Sequence, residues 1–203
     1  MNMLKITLIF FILSLSTSCT TRQLIPISED SKKELSIIGV TMLPPSGKGW
    51  NYQIVHPARI QFGKFGDYEL QTITASVVLH KLPVADSEQQ FLAEVSKERW
   101  GQNDEQERFN NVLVEETIVH EKNTLCIRYN TIYQDFGSQY LQDSNQHFVV
   151  EDIGLICRHP ENEKVGVSIG VSQRYKPGRM YRDFKEVANA FIANAKFEEL
   201  PQE

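Results

Sequence analysis

Residues 165–175 read Val-Gly-Val-Ser-Ile-Gly-Val-Ser-Gln-Arg-Tyr. Val165, Val167, Ile169 and Val171 fall on one side, and Gly166, Ser168, Gly170 and Ser172 on the other. A period of two marks a strand with one apolar face. The small-residue face lets another element approach closely, or simply meets water. Upstream, residues 125–135 and 147–158 read as two more strands, joined by a polar segment with Gly137 and Asp143-Ser144-Asn145. Set antiparallel with Cys126 opposite Cys157, they place Ile127 against Ile156, Tyr129 against Gly154 and Tyr133 against Val150, all on one side. An aromatic then covers a glycine. A slip of one residue would throw the apolar sets onto opposite faces.

The pattern continues outward. Trp50, Tyr52 and Ile54 share one face of a first strand over 50–55. Ile60 and Phe62 suggest a second short strand before a turn at 63–67. Residues 70–82 form a long strand, with Ile73, Ala75, Val77 and Leu79 on one side and Thr72, Thr74 and Ser76 opposite. Pro83 ends it. Ser87-Glu88-Gln89-Gln90 is a capping box, and a helix follows to about Trp100 with Phe91, Leu92, Val95 and Arg99 inward. Gly101 stops that helix, and 101–108 is a charged loop. Residues 112–120 pair with 125–135 about a turn at 121–124. After Pro177-Gly178, Asp183 with Glu186 three residues on is a second capping pattern. Phe184, Val187, Ala188, Phe191, Ile192 and Ala195 then make one helical stripe, read as core-facing.

Hairpin-rich strands with two segregated helices define an α+β class. The expectation is an antiparallel sheet of about six strands with two main helices. This order, the Gly49-Trp50 start, the long strand over 70–82 and the capped helix are together similar to the Mog1/PsbP-like fold. Small exported bacterial lipoproteins, including the DcrB-like group, share that fold. The resemblance covers about residues 48–199 and rests on the order of elements. It implies protein binding or assembly support, and it carries over no catalytic residues.

The amino-terminal residues follow another logic. Lys5 precedes an apolar run over 6–15, broken by Thr7 and Ser14, then small Ser16-Thr17-Ser18 and Cys19. That is a secretory signal, too short for a membrane span of roughly twenty apolar residues. A cysteine at the cut resembles the lipobox of bacterial lipoproteins, with Ser16 where an aliphatic residue is preferred. The resemblance implies that Cys19 becomes the lipid-modified first residue of the mature chain. Thr20, in place of Asp, implies the outer membrane of a Gram-negative bacterium, with the body facing the periplasm. The alternative is an ordinary signal cut nearby, with Cys19 an incidental thiol. The expected layout is a signal peptide over 1–18, the lipid-anchored Cys19 with a polar tether over 19–47, and one globular domain over 48–203. Within the tether, residues 35–40 are apolar enough to dock or add an edge strand.

Losing residues 1–18 removes one charge, Lys5, and leaves 20 basic against 26 acidic side chains, a net of −6. Mild acidity argues against a nucleic-acid footprint and against general docking on anionic lipid. In an oxidising compartment Cys126 and Cys157 are expected to close. Free thiols or a redox pair are the alternatives, and no C-x-x-C spacing supports the latter. The five histidines, His56, His80, His120, His147 and His159, show no metal-ligand spacing. No hydrolase elbow, phosphate loop or dinucleotide fingerprint occurs. No catalytic, cofactor or metal residue is therefore assigned. Two surfaces are candidates for a partner. One is aromatic: Tyr129, Tyr133, Phe136, Tyr140 and Phe148. The other is basic: Arg174, Lys176, Arg179, Arg182 and Lys185. The alternatives are that the aromatics cover the end of the sheet and that the basic residues form a solvated loop. The expected function is a non-enzymatic envelope lipoprotein that binds or supports another envelope protein. A small-ligand or lipid-binding module is the runner-up, and a hydrolase-type enzyme comes third.

Overall fold

The structure, a computed structural model, describes residues 24–29, 31–101, 108–141, 143 and 146–201. The signal peptide, Cys19 and most of the loop over 101–108 lie outside the described residues. The elements run β1 (Ile25–Pro26), β2 (Leu35–Ile37), β3 (Val40–Met42), β4 (Asn51–His56), β5 (Arg59–Phe65), β6 (Thr72–Lys81) and α1 (Glu88–Gly101). They continue with β7 (Phe109–Glu121), β8 (Thr124–Asp135), β9 (Phe148–His159), β10 (Asn162–Tyr175), α2 (Phe184–Asn194) and β11 (Lys196–Phe197). The class is α+β. An eight-stranded sheet has the order β1-β4-β5-β6-β10-β9-β8-β7, and a three-stranded sheet has the order β11-β3-β2. Every pairing is antiparallel.

The β8–β9 register is the one the sequence specifies: Cys126 faces Cys157, Ile127 faces Ile156, Tyr129 faces Gly154 and Tyr133 faces Val150. The two sulfurs are 2.09 Å apart, at disulfide distance. The β7–β8 hairpin turns on Lys122 and Asn123, with φ of 53° and 60°. Two positive-φ residues between paired Glu121 and Thr124 fit the twist of the strands.

The larger sheet is covered on both faces. On one, the α2 stripe of Phe184, Val187, Ala188, Phe191 and Ile192 is buried against Phe62, Ile169 and Leu155. Phe191 meets Phe62 edge to face at 5.5 Å. Each of the larger side chains, Phe184, Val187, Phe191 and Ile192, contributes about 1.5–3 kcal/mol by leaving water. On the other face, Phe91 and Val95 of α1 pack on Leu82, Ile127 and Ile156. The Ser87 cap holds: Oγ accepts from the Gln90 N–H at 3.1 Å. Gln90 reaches back one residue further than a standard box, accepting from the Asp86 N–H at 2.9 Å.

Four expectations need correction. The expected sheet of about six strands is, among the described residues, a sheet of eight with a second sheet of three; β1, β2, β3 and β11, which have only two or three residues and show no period, join seven longer strands. The strand begun at Ile60 runs through Gly63 to Phe65, and the turn comes later, with Leu70 at φ 61°. Asp183 does not cap α2 with its side chain, since its backbone at φ −90°, ψ 14° is off the extended geometry a cap needs. The segment read as a tether belongs to the fold from Ile25 on. Leu35, Ile37, Val40 and Met42 are buried in the main core, and β1 pairs with β4.

Candidate functional site

Under α1 the sheet carries a polar seam. It starts with small residues: Gly154 and Gly170 lie side by side on β9 and β10 and leave a trough. Tyr129 fills it. A Cβ at Gly154 would sit 2.3 Å from the Tyr129 hydroxyl, and one at Gly170 2.5 Å from it. As a whole residue Tyr129 is half-buried, but its hydroxyl end is enclosed. The face of small residues is therefore a socket for an aromatic ring. The Arg99 guanidinium stacks on that ring at 3.8 Å. Arg99 and Ser96 of α1 both bond Glu116 of β7, which ties helix to sheet.

Next along the seam, Asp152 sits opposite Ser172 in the β9–β10 ladder, with Tyr133 and Arg99 close enough to act on its charge. Burial dominates and raises its carboxyl, against the pull of Ser172 and Arg99. Burial, then Asp152, pushes the Tyr133 phenol well above its usual range. Both groups hold their protons more tightly than in water, the opposite of an activated nucleophile. A carboxyl raised in the folded state adds stability below its unfolded value of about 4, and that contribution is lost as pH rises through the folded value. Asp152→Asn, which keeps the side chain's shape without the charge, should therefore stabilise the protein at pH 7. The gain should shrink as pH falls toward 4. Thermal melts of both forms between pH 4 and 8 check this, with about 2–4 °C expected for each kcal/mol. A gain that ignores pH removes desolvated charge as the cause.

The candidate aromatic residues do not form one exposed surface. Tyr129 and Tyr133 belong to the seam, where Tyr133 meets Phe109 edge to face at 5.4 Å. Phe148 is buried beneath the Arg174 guanidinium, 4.0 Å from the ring. Phe136 is half-buried beside His147, and only Tyr140 is exposed. The basic set is likewise divided. Arg174 bonds Ser138 at 2.7 Å, Arg179 stacks on Tyr68, and exposed Arg182 and Lys185 are interleaved with Asp183 and Glu186. His80 bonds Ser168 at 2.8 Å. His159 is buried: Nδ1 accepts from the Glu161 N–H at 3.3 Å, so Nε2 donates to the Gly39 carbonyl at 3.1 Å. It pins the β2–β3 turn to β9. Among the described residues, no three His, Cys, Asp or Glu gather to hold a metal. Two clefts, of about 560 and 460 Å³, are lined largely by charged side chains, Lys122, Glu161, Lys196 and Glu198 in one and Lys81, Glu94, Lys97 and Glu98 in the other.

A further feature comes from strand order. β7 is an outermost strand, thirteen residues long, and among the described residues its only strand neighbour is β8. An edge of that length spans about 43 Å. Val112 and Val114 on it are 58 and 45 % exposed. Its acids are turned to partners within the domain: Glu115 to Asn130 at 3.0 Å, Glu116 to Ser96 and Arg99 of α1, and Glu121 to Arg128 at 2.7 Å. A bulge between Asn111 and Leu113 bends the strand. Sequence alternation marks a strand here but carries no sign of its place in the sheet. Against known protein families and curated proteins, the chain matches no family model and no curated protein.

Proposed function

We propose that this chain is an envelope lipoprotein, held in the outer membrane through lipid on Cys19, whose periplasmic domain binds another envelope protein. The domain is of the Mog1/PsbP-like kind in this reading, supported by an antiparallel sheet with a helix on either face. The role is non-enzymatic and needs no cofactor. The observation that carries it is β7. A long edge with exposed valines is a template for an extended segment of a partner, which main-chain hydrogen bonds would hold and apolar side chains over Val112 and Val114 would select. Sulfurs of Cys126 and Cys157 at disulfide distance support an exported, oxidising setting.

A photoreactive amino acid at Val112 tests the edge in intact cells. It should yield one discrete adduct with an envelope protein, while the same group at exposed Lys185 should yield none. Val114→Lys should lower the Val112 adduct about tenfold, since a charge on the edge strand replaces the apolar cross-strand contact and disfavours pairing with an added strand. Equal adducts from both positions, or no loss with Val114→Lys, would remove β7 as the binding edge.

A further inference from the structure

We infer that the β1–β4 corner of the domain lies on the lipid surface that holds Cys19, which directs the β7 edge away from the membrane. The inference rests on the lipid-anchored reading and adds an orientation to it. It begins with the reach of the chain. Because β1 is paired into the sheet, the length of chain from the anchor to the fold is not the expected tether to residue 47 but only the five residue steps from Cys19 to Leu24. Five residue steps span at most about 18 Å whatever their conformation. Headgroups occupy about 5–8 Å of that on each side of a bilayer. The corner at Leu24 therefore stays close to the headgroups.

That corner is also apolar. Leu24 is 60 % exposed, Ile25 42 %, Ile38 40 % and Ile54 54 %. The register puts Ile25 and Ile54 on one side, and a turn contact adds Ile38. Ile25 pairs with Tyr52, and Ile54 is two residues along β4 on the same side. Ile38 donates its N–H to the Pro57 carbonyl at 3.0 Å, in the turn just after β4. Exposed Arg59 and His56 flank the turn and suit phosphate oxygens. Aliphatic side chains at the exit of a lipid-bearing chain gain by entering the headgroup boundary. The chain's mild acidity is no obstacle, since the contact is apolar and the leash supplies proximity. Seven strand spacings separate β1 from β7, about 34 Å. One edge of the sheet is thus held at lipid, and the opposite edge is presented to the periplasm.

The test uses the full lipidated chain in vesicles of phosphatidylethanolamine and phosphatidylglycerol with a radiolabelled phospholipid. A photoreactive amino acid is placed in turn at Ile38, Ile54, Val114 and Tyr140. Lipid adducts from Ile38 and Ile54 should exceed those from Val114 and Tyr140 about fivefold or more. Ile54→Asp should reduce the Ile38 adduct while leaving acylation and near-ultraviolet dichroism unchanged. Incorporation of labelled palmitate at Cys19 is read in parallel. Palmitate present with equal or inverted lipid adducts overturns the orientation alone. Palmitate absent from Cys19 overturns the anchor and the orientation together.

Discussion

Removing the Cys126–Cys157 link should cost the protein about 4 kcal/mol of stability. The two residues are 31 apart in sequence, and both are fully buried in the main core. A cross-link over a loop of that length removes denatured-state entropy worth roughly 3.5–4 kcal/mol at 25 °C. The native register holds the two residues opposite each other with or without the bond, because Ile127–Ile156 and Tyr133–Val150 specify the same pairing. The loss should therefore come from the unfolded side. Urea unfolding of the oxidised protein, the reduced protein and the Cys126→Ala/Cys157→Ala variant separates the contributions. The reduced protein reports the cross-link alone. The variant should fall lower still, by about 1 kcal/mol for the two small cavities left in the core. The m-value should rise on reduction, since a chain freed of its cross-link exposes more surface when unfolded. A loss below about 1 kcal/mol on reduction, or two free thiols by mass analysis of the exported protein, would mean the link does not stabilise the domain.

How far the sequence reaches depends on the range of the interactions. The β8–β9 register was legible because two independent patterns, apolar faces and cysteines, select one pairing. The α2 stripe was legible because period 3.6 over eleven residues leaves one buried face. The Ser87 cap was legible because its geometry is local. What was not legible is set by partners distant in the chain. Ile25 and Pro26 add to the sheet only because β4 offers an open edge, and Lys196 and Phe197 pair with β3 across about the whole domain. No period exists in two residues. The partner surface followed the same rule. Residue type drew attention to the aromatics, but Tyr129 and Phe148 are absorbed by the sheet's own small residues and cations. The edge character of β7 follows from strand order, a global property. Asp183 shows the converse, a local motif overruled by the backbone path that Pro177-Gly178 and the Tyr181 turn impose.

Gly154→Ala should be the most damaging single methyl group in the sheet, and Gly170→Ala beside it should be mild and rescuable. The two glycines share Tyr129 but differ in what else lies near. At Gly154 an added Cβ meets the Tyr129 hydroxyl at 2.3 Å, its Cζ at 2.5 Å and the Ile169 backbone carbonyl at 2.6 Å. At Gly170 it meets the hydroxyl at 2.5 Å, with the Ile153 carbonyl at 3.4 Å and Tyr129 Cζ at 3.6 Å. A backbone oxygen within a sheet ladder cannot step aside without breaking hydrogen bonds, whereas a phenol oxygen can be deleted. Gly154→Ala should then cost about 3 kcal/mol or more, at the upper end for an overpacked core. Gly170→Ala should cost about 1–2 kcal/mol in the parent and almost nothing in a Tyr129→Phe background. Tyr129→Phe should recover little for Gly154→Ala, because Cζ and the Ile169 oxygen remain. The double-mutant cycles, read from urea midpoints at constant m-value, give a coupling energy of about 1 kcal/mol for Tyr129 with Gly170 and a smaller one with Gly154. Full rescue of Gly154→Ala by Tyr129→Phe would show that the ladder yields and that only the phenol sets the trough. Equal, small costs at both glycines would show that Tyr129 does not occupy it. The predicted order of costs follows from one feature of the seam: β10 approaches β9 closely enough that the space over Gly154 is closed by main chain, while the space over Gly170 is closed by a single oxygen atom.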